Sequence, residues 1–137
     1  MNTIKTLLFL VVSLGASIAQ AQLAVTVSPV RVIGQKVVVP LAMTNNLAGP
    51  VASARAVCFL LDEQGTMIGQ STKWVIGGTK DRPALQPNAG TTFNFVITGP
   101  QRYTTTNLTA QVSFSRLVLD GEKLANPKTD VQIQNRK

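Results

Sequence analysis

The sequence predicts an all-β domain, an antiparallel two-sheet β-sandwich of about seven strands. Three observations carry that prediction. Apolar residues recur at every second position in segment after segment, the period of a half-buried strand. Clusters of Gly, Asn, Asp and Pro separate these segments at short intervals, as turns do. No convincing helical pattern interrupts them.

Residues 1–21 stand apart. They carry Lys5, an apolar core from Leu7 to Leu14, and the small-x-small sequence Ala19-Gln20-Ala21, the three parts of a secretory signal peptide. An N-terminal membrane anchor is the alternative. It is disfavoured because the apolar run is short for a hydrocarbon core of about 30 Å, and because Ser13, Ser17 and Gln20 interrupt its far end. Cleavage after Ala21 starts the mature chain at Gln22. No cysteine directly follows the apolar core, so a lipid anchor is not expected. No later apolar stretch is long enough to span a bilayer. The expectation is a soluble periplasmic or secreted protein: signal peptide 1–21, one domain over 22–134, and a frayed tail over 135–137.

Within the domain, residues 23–30 alternate, with Leu23, Val25 and Val27 on one face. Pro29 confines this strand to an edge or an end, because proline has no N–H for the ladder. Gly34-Gln35 marks a turn. Residues 37–45 form the next strand, with Val37, Val39, Leu41 and Met43 inward and Pro40 on the other face, again suggesting an edge. After the loop Asn45-Asn46-Leu47-Ala48-Gly49-Pro50 comes the stretch that organises the chain, residues 51–75. Its first strand is apolar on both faces from Val57 to Leu61 and is expected to be covered on both sides. Asp62-Glu63-Gln64-Gly65 fits a type I turn closed by a left-handed glycine. The returning strand has Ile68, Trp74 and Ile76 in phase, and Gly69 suggests a bulge or a crossing between sheets.

Residues 77–90 form the longest irregular segment, either a binding surface or a crossing between sheets. Phe93, Phe95 and Ile97 line a strand. Residues 99–107 are polar around Tyr103. A strand over 108–119 has Leu108, Ala110, Val112, Phe114 and Val118 on one face. Asp120-Gly121 is a hairpin signal, and residues 123–125 and 131–134 supply a last strand or two. Large aromatics fall on four strands (Phe59; Trp74; Phe93 and Phe95; Phe114), as a two-sheet core would use them.

Composition limits the chemistry. The chain has no histidine, which removes the commonest general base and metal ligand together. Its one cysteine, Cys58, cannot build a thiolate zinc site. It reads as a small buried strand residue, or else as a thiol that pairs with another chain. Four of the six acids, Asp62, Glu63, Asp120 and Glu122, are accounted for by turns. No phosphate-binding glycine loop and no G-x-S-x-G sequence occurs. The expectation is a non-enzymatic protein with no cofactor and no metal. Thirteen Lys and Arg less Lys5 leave twelve against six acids, a mature net charge of +6. Such a chain suits an envelope protein or an anionic polymer as partner. The cations are scattered singly without interleaved aromatics, so nucleic acid is not expected. Candidate partner-binding residues are Arg31 on the first strand's edge, Lys80 and Arg82 in the long loop, and Arg102 and Tyr103 in the polar segment.

The succession of turns and strands resembles the FxLyD-type and related immunoglobulin-like domains of exported bacterial proteins. The resemblance rests on Met43-Thr44-Asn45-Asn46, on Cys58-Phe59-Leu60-Leu61-Asp62, on Asp62-Glu63-Gln64-Gly65, on Leu85-Gln86-Pro87-Asn88-Ala89-Gly90 and on Phe93-Asn94-Phe95. Cys58 stands where the namesake phenylalanine would be. The resemblance implies an Ig-like sandwich and no particular activity. Val30-Arg31-Val32-Ile33 followed by residues 39–46 is similar, more locally, to the first domain of periplasmic pilus chaperones. There an arginine anchors a subunit's C-terminal carboxylate, and Arg31 is the matching residue. That similarity implies an alternative function, an assembly factor that pairs an edge strand with a subunit.

Overall fold

A computed structural model describes residues 21–137, so the predicted signal peptide lies, apart from Ala21, outside the described residues. Eight strands run in order: β1 (Leu23–Val27), β2 (Arg31–Ile33), β3 (Lys36–Asn45), β4 (Val51–Leu61), β5 (Met67–Ile76), β6 (Gly90–Thr98), β7 (Thr109–Leu119) and β8 (Val131–Asn135). They form two sheets packed face to face, the predicted all-β sandwich. In the larger sheet β6 covers one side of β3 along its length. β2 and β1 share the other side end to end, and β8 lies beyond β1. The smaller sheet is β5-β4-β7.

The inner faces follow the alternation in the sequence. Leu23, Val25 and Val27, then Val37, Val39, Leu41 and Met43, then Phe95 and Ile97 are buried from the larger sheet. From the smaller sheet come Ala54, Ala56, Cys58 and Leu60 of β4, with Val75, Ile76, Ala110, Phe114 and Leu117. Three small residues on the central strand, Ala54, Ala56 and Cys58, leave room for the bulky side chains opposite. At Gly69 the sheets come close: a Cβ there would lie 2.9 Å from Ile97 Cγ2. The register of β4 and β5 also slips beside it, between Leu60 and Leu61. The extra residue of that slip is Ile68, so Gly69 borders the bulge and is itself the close approach between the sheets.

The turns obey their residues. Gly34, at φ +63°, opens the two-residue turn between β2 and β3. Asp62 Oδ1 accepts the N–H groups of Gln64 and Thr66, and Gly65 closes the turn at φ +81°. Asn45, fully buried, knits the far end of the sandwich together. Its Nδ2 donates to the carbonyls of Gly49 (3.0 Å) and Leu85 (2.9 Å), and its Oδ1 accepts from Leu47 N–H (2.9 Å). Residues 77–90 cross from β5 in one sheet to β6 in the other, with Leu85 buried and its backbone bridged to Val51.

Several expectations are corrected. Pro40 lies in the most central strand of its sheet, not at an edge. Its carbonyl accepts Ser28 N–H (3.0 Å), so its nitrogen faces the same side, where β1 has ended and β2 has not begun. A missing donor costs nothing in that break. β1 lies between β3 and β8, so it is an interior strand. The sandwich is not wholly antiparallel, because β8 runs parallel to β1. β8 reaches that register through a single helical turn, Pro127–Asp130, that the strand-only reading lacks. Asn126 caps it by accepting from Lys128 N–H, Asp130 accepts from Asn126 N–H, and Pro127 occupies the first turn. Val57, Phe59 and Leu61 are half-buried on the outer face of β4, not enclosed on both sides. Ile68 is exposed and Trp74 faces outward, while Val118 yields its inward place to Leu117.

Candidate functional site

The outer face of the smaller sheet carries two departures from regular strand geometry that meet at one residue, Arg55. In β4 the even-numbered residues from Ala54 to Leu60 point inward, and Arg55, Val57, Phe59 and Leu61 point outward. In β7, Ala110, Val112 and Phe114 face in, so strict alternation would drive Arg116 into the core. It does not, because the register slips by one residue at Ser115: Ala56 pairs with Phe114 and Arg55 with Arg116. The extra residue turns Arg116 outward and sends Leu117 inward, where it is fully buried. In β5 the same thing happens opposite the same residue. Ala54 pairs with Ile76 and Arg55 with Trp74, which leaves Val75 extra and lets Val75 and Ile76 both be buried. Two bulges thus flank Arg55, and the one at Ser115 brings Arg116 into line with the Arg55–Trp74 pair, making one row across three strands.

The row is electrostatically unbalanced. Residues directly opposite on antiparallel strands have Cβ atoms about 5 Å apart, and like charges there repel. Arg55 and Arg116 are both exposed. Two open depressions meet at Arg55 and Trp74. One, of about 480 Å³, adds Ser53, Arg116, Val118, Glu122 and Leu124. The other, of about 350 Å³, adds Thr72, Lys73, Thr79, Arg82 and Phe93. Their lining holds four cations, Arg55, Lys73, Arg82 and Arg116, against one acid, Glu122.

Trp74 is held in place from behind. Gly78, at φ +78°, packs so tightly on the indole that a Cβ would lie 2.5 Å from Trp74 Cγ. The Arg82 guanidinium donates from Nη1 to the Trp74 carbonyl and stacks 4.8 Å from the centroid of the Phe93 ring. Phe93 in turn meets Phe95 edge-on at 5.2 Å. The start of the long loop is thereby tied to β5, and the indole has little freedom left to lose on binding.

The five residues singled out from the sequence do not form one site. Arg82 borders the Trp74 row, and Lys80 is exposed two residues before it. Arg31 lies exposed on β2, opposite Val38. Arg102 and Tyr103 sit beside the turn between β2 and β3: Tyr103 N–H donates to the Gly34 carbonyl (2.9 Å), and its ring packs on Gly99. That turn lies at the opposite end of β3 from Asn45 and the long loop, roughly 30 Å away by strand rise. Sequence reasoning missed Arg55, Trp74 and Arg116. Arg55 was discoverable as the one charge inside an apolar strand. Alternation with Ile68 and Ile76 places Trp74 in the core, and Arg116 depends on a bulge that alternation does not reveal.

Comparison with protein-family models, curated proteins and solved structures finds no match. The chemistry of the site therefore rests on the residues themselves. Among the described residues no three of His, Cys, Asp and Glu come together. Cys58 lies on the inner face of β4, fully buried, and burial pushes its thiol up to about 11. A neutral, enclosed thiol is a poor nucleophile. What the outward row can do is hold an anion between two guanidinium forks beside an aromatic surface.

Proposed function

We propose that the chain is an exported, non-enzymatic β-sandwich module that binds an anionic protein or polymer of the cell envelope through the outer face of its smaller sheet. The observation that carries this is the row of Trp74, Arg55 and Arg116, in which a bulge at Ser115 sets Arg116 against Arg55 and a second bulge, at Val75, borders Trp74. Bulges that re-aim side chains gather at functional sites, and two facing arginines form a site for an anion that bridges them. The signal-peptide pattern, the mature charge of +6 and the likeness to immunoglobulin-like domains of exported proteins support the same reading. The test is fractionation of bacteria expressing the full chain. The protein is expected with the envelope and is released by salt. Arg55→Glu with Arg116→Glu moves it to the soluble fraction, whereas Arg31→Glu with Arg102→Glu does not. Equal retention of both variants would remove the assignment.

The alternative, an assembly factor pairing its first strand with a subunit, has less to stand on. β1 is already flanked by β3 and β8, which leaves only the three-residue β2, Arg31 included, with a free side.

A further inference from the structure

The row has an order that narrows the class of anion. Trp74 lies on one side of Arg55 and Arg116 on the other, each one strand away. Adjacent strands are about 4.8 Å apart, so the row spans roughly 10 Å. We infer that this face binds an acidic polysaccharide, with one sugar ring stacked on the Trp74 indole and a ring carboxylate held by Arg55 and Arg116. The inference rests on the anionic-partner reading above and names the partner's chemistry.

Three features favour a carboxylated glycan. The indole has a negative π-face, and the C–H-lined face of a pyranose ring is weakly positive and apolar, so the two stack. A phosphate chain has no such face to offer. The guanidinium fork accepts a planar carboxylate through two parallel N–H···O bonds, and the anion relieves the repulsion between Arg55 and Arg116 as it binds. Finally, β4 is hydrogen-bonded to strands on both sides, and the free edges of β5 and β7 run across the direction of the row, so an extended peptide added there would not lie along it. It offers side chains and open troughs on either side of Trp74, one leading past Leu124 and Val118 and the other past Lys73 and Arg82. A polymer can run through such a trough. The fixed position of the indole against Gly78 means that little ordering accompanies the stacking.

The experiment is a titration of the purified protein with galacturonate oligomers, read by the emission of its single tryptophan and by calorimetry. Neutral glucose oligomers, polyphosphate and polyaspartate run alongside. The expected result is saturable binding of the galacturonate oligomers with a change in Trp74 emission, and at least tenfold weaker binding of neutral oligomers. Arg55→Gln and Arg116→Gln each weaken binding at least tenfold. Trp74→Ala does the same by calorimetry, and Trp74→Phe, which keeps an aromatic face and a packed site, recovers most of the loss. Arg31→Gln, outside the row, leaves binding unchanged. Binding of polyphosphate or polyaspartate in preference to galacturonate, with Trp74 emission unmoved, would overturn the glycan assignment and leave the anionic-partner reading standing. Equal binding of neutral oligomers would also overturn it. Failure of every polyanion to bind would overturn both.

Discussion

If Arg55 and Arg116 are aligned for an anion, the free protein should become more stable when that alignment is undone. Arg116→Glu tests this most sharply, because it turns a repulsive cross-strand pair into an attractive one without touching the core. A directly opposed like-charge pair costs about 0.2–1 kcal/mol, and an opposite-charge pair contributes about as much in the other direction. Reversal is therefore worth about 0.4–2 kcal/mol. Both side chains are exposed, which favours the lower half of that range. For a domain of this size, 1 kcal/mol moves the midpoint by roughly 3–5 °C. Differential scanning calorimetry at low ionic strength should show Arg116→Glu melting roughly 2–5 °C above wild type, with Arg116→Gln in between. The Debye length shrinks to about 3 Å at 1 M salt, so the gain should largely vanish there. A lower melting temperature for Arg116→Glu, or a gain indifferent to salt, would mean that the guanidinium groups do not oppose each other. A bridging anion would then have no repulsion to relieve.

Other consequences follow from the packing. Asn45→Ala removes three side-chain hydrogen bonds from a fully buried position and should destabilise by about 3 kcal/mol, seen as a drop of roughly 9–15 °C in melting temperature. Gly78→Ala forces a methyl to within 2.5 Å of Trp74 Cγ at a left-handed backbone angle. It should cost about 1–2 kcal/mol from the backbone alone and shift Trp74 emission to the red as the indole is pushed out. Cys58 should resist a thiol reagent at pH 8 in the native protein and react at once in denaturant. Its thiol titrates near 9 when unfolded and about 11 when folded, so the native state holds the extra proton between those values. Stability from this group is full below pH 9 and is lost as pH rises towards 11. Chemical denaturation should show that decline in wild type to exceed that of Cys58→Ala.

The sandwich was legible because its cause is local. Val37, Val39, Leu41 and Met43 alternate, Asp62 and Gly65 make the turn their chemistry requires, and Asn45 begins a loop. What escaped were features set by neighbours in space. Pro40 looks like an edge residue until β1 and β2 are seen to leave a break opposite it. Nothing in residues 131–135 declares a parallel pairing with β1, although Asn126-Pro127 and Asp130 do spell out the capped helical turn before it. The site was the least legible part. Alternation assigns Trp74 to the core, and it puts Arg116 in phase with Phe114. Only the slip at Ser115 turns Arg116 outward, and only the slip at Val75 lets Ile76 enter the core while Trp74 keeps the outward phase of Gln70 and Thr72; a bulge is a property of two strands together. Scattered cations in the sequence concealed a local concentration in space.

The proposed binding surface is the outer face of β4, β5 and β7. The most direct measurement is a map of amide and indole N–H chemical shifts as galacturonate oligomers are added to the protein. The Trp74 indole signal and the amides around Arg55 and Arg116 should move first and furthest. Signals at Arg31, Arg102 and Tyr103 should stay in place. Shifts centred on those three, at the other end of the sandwich, with the Trp74 indole unmoved, would contradict this placement of the binding surface.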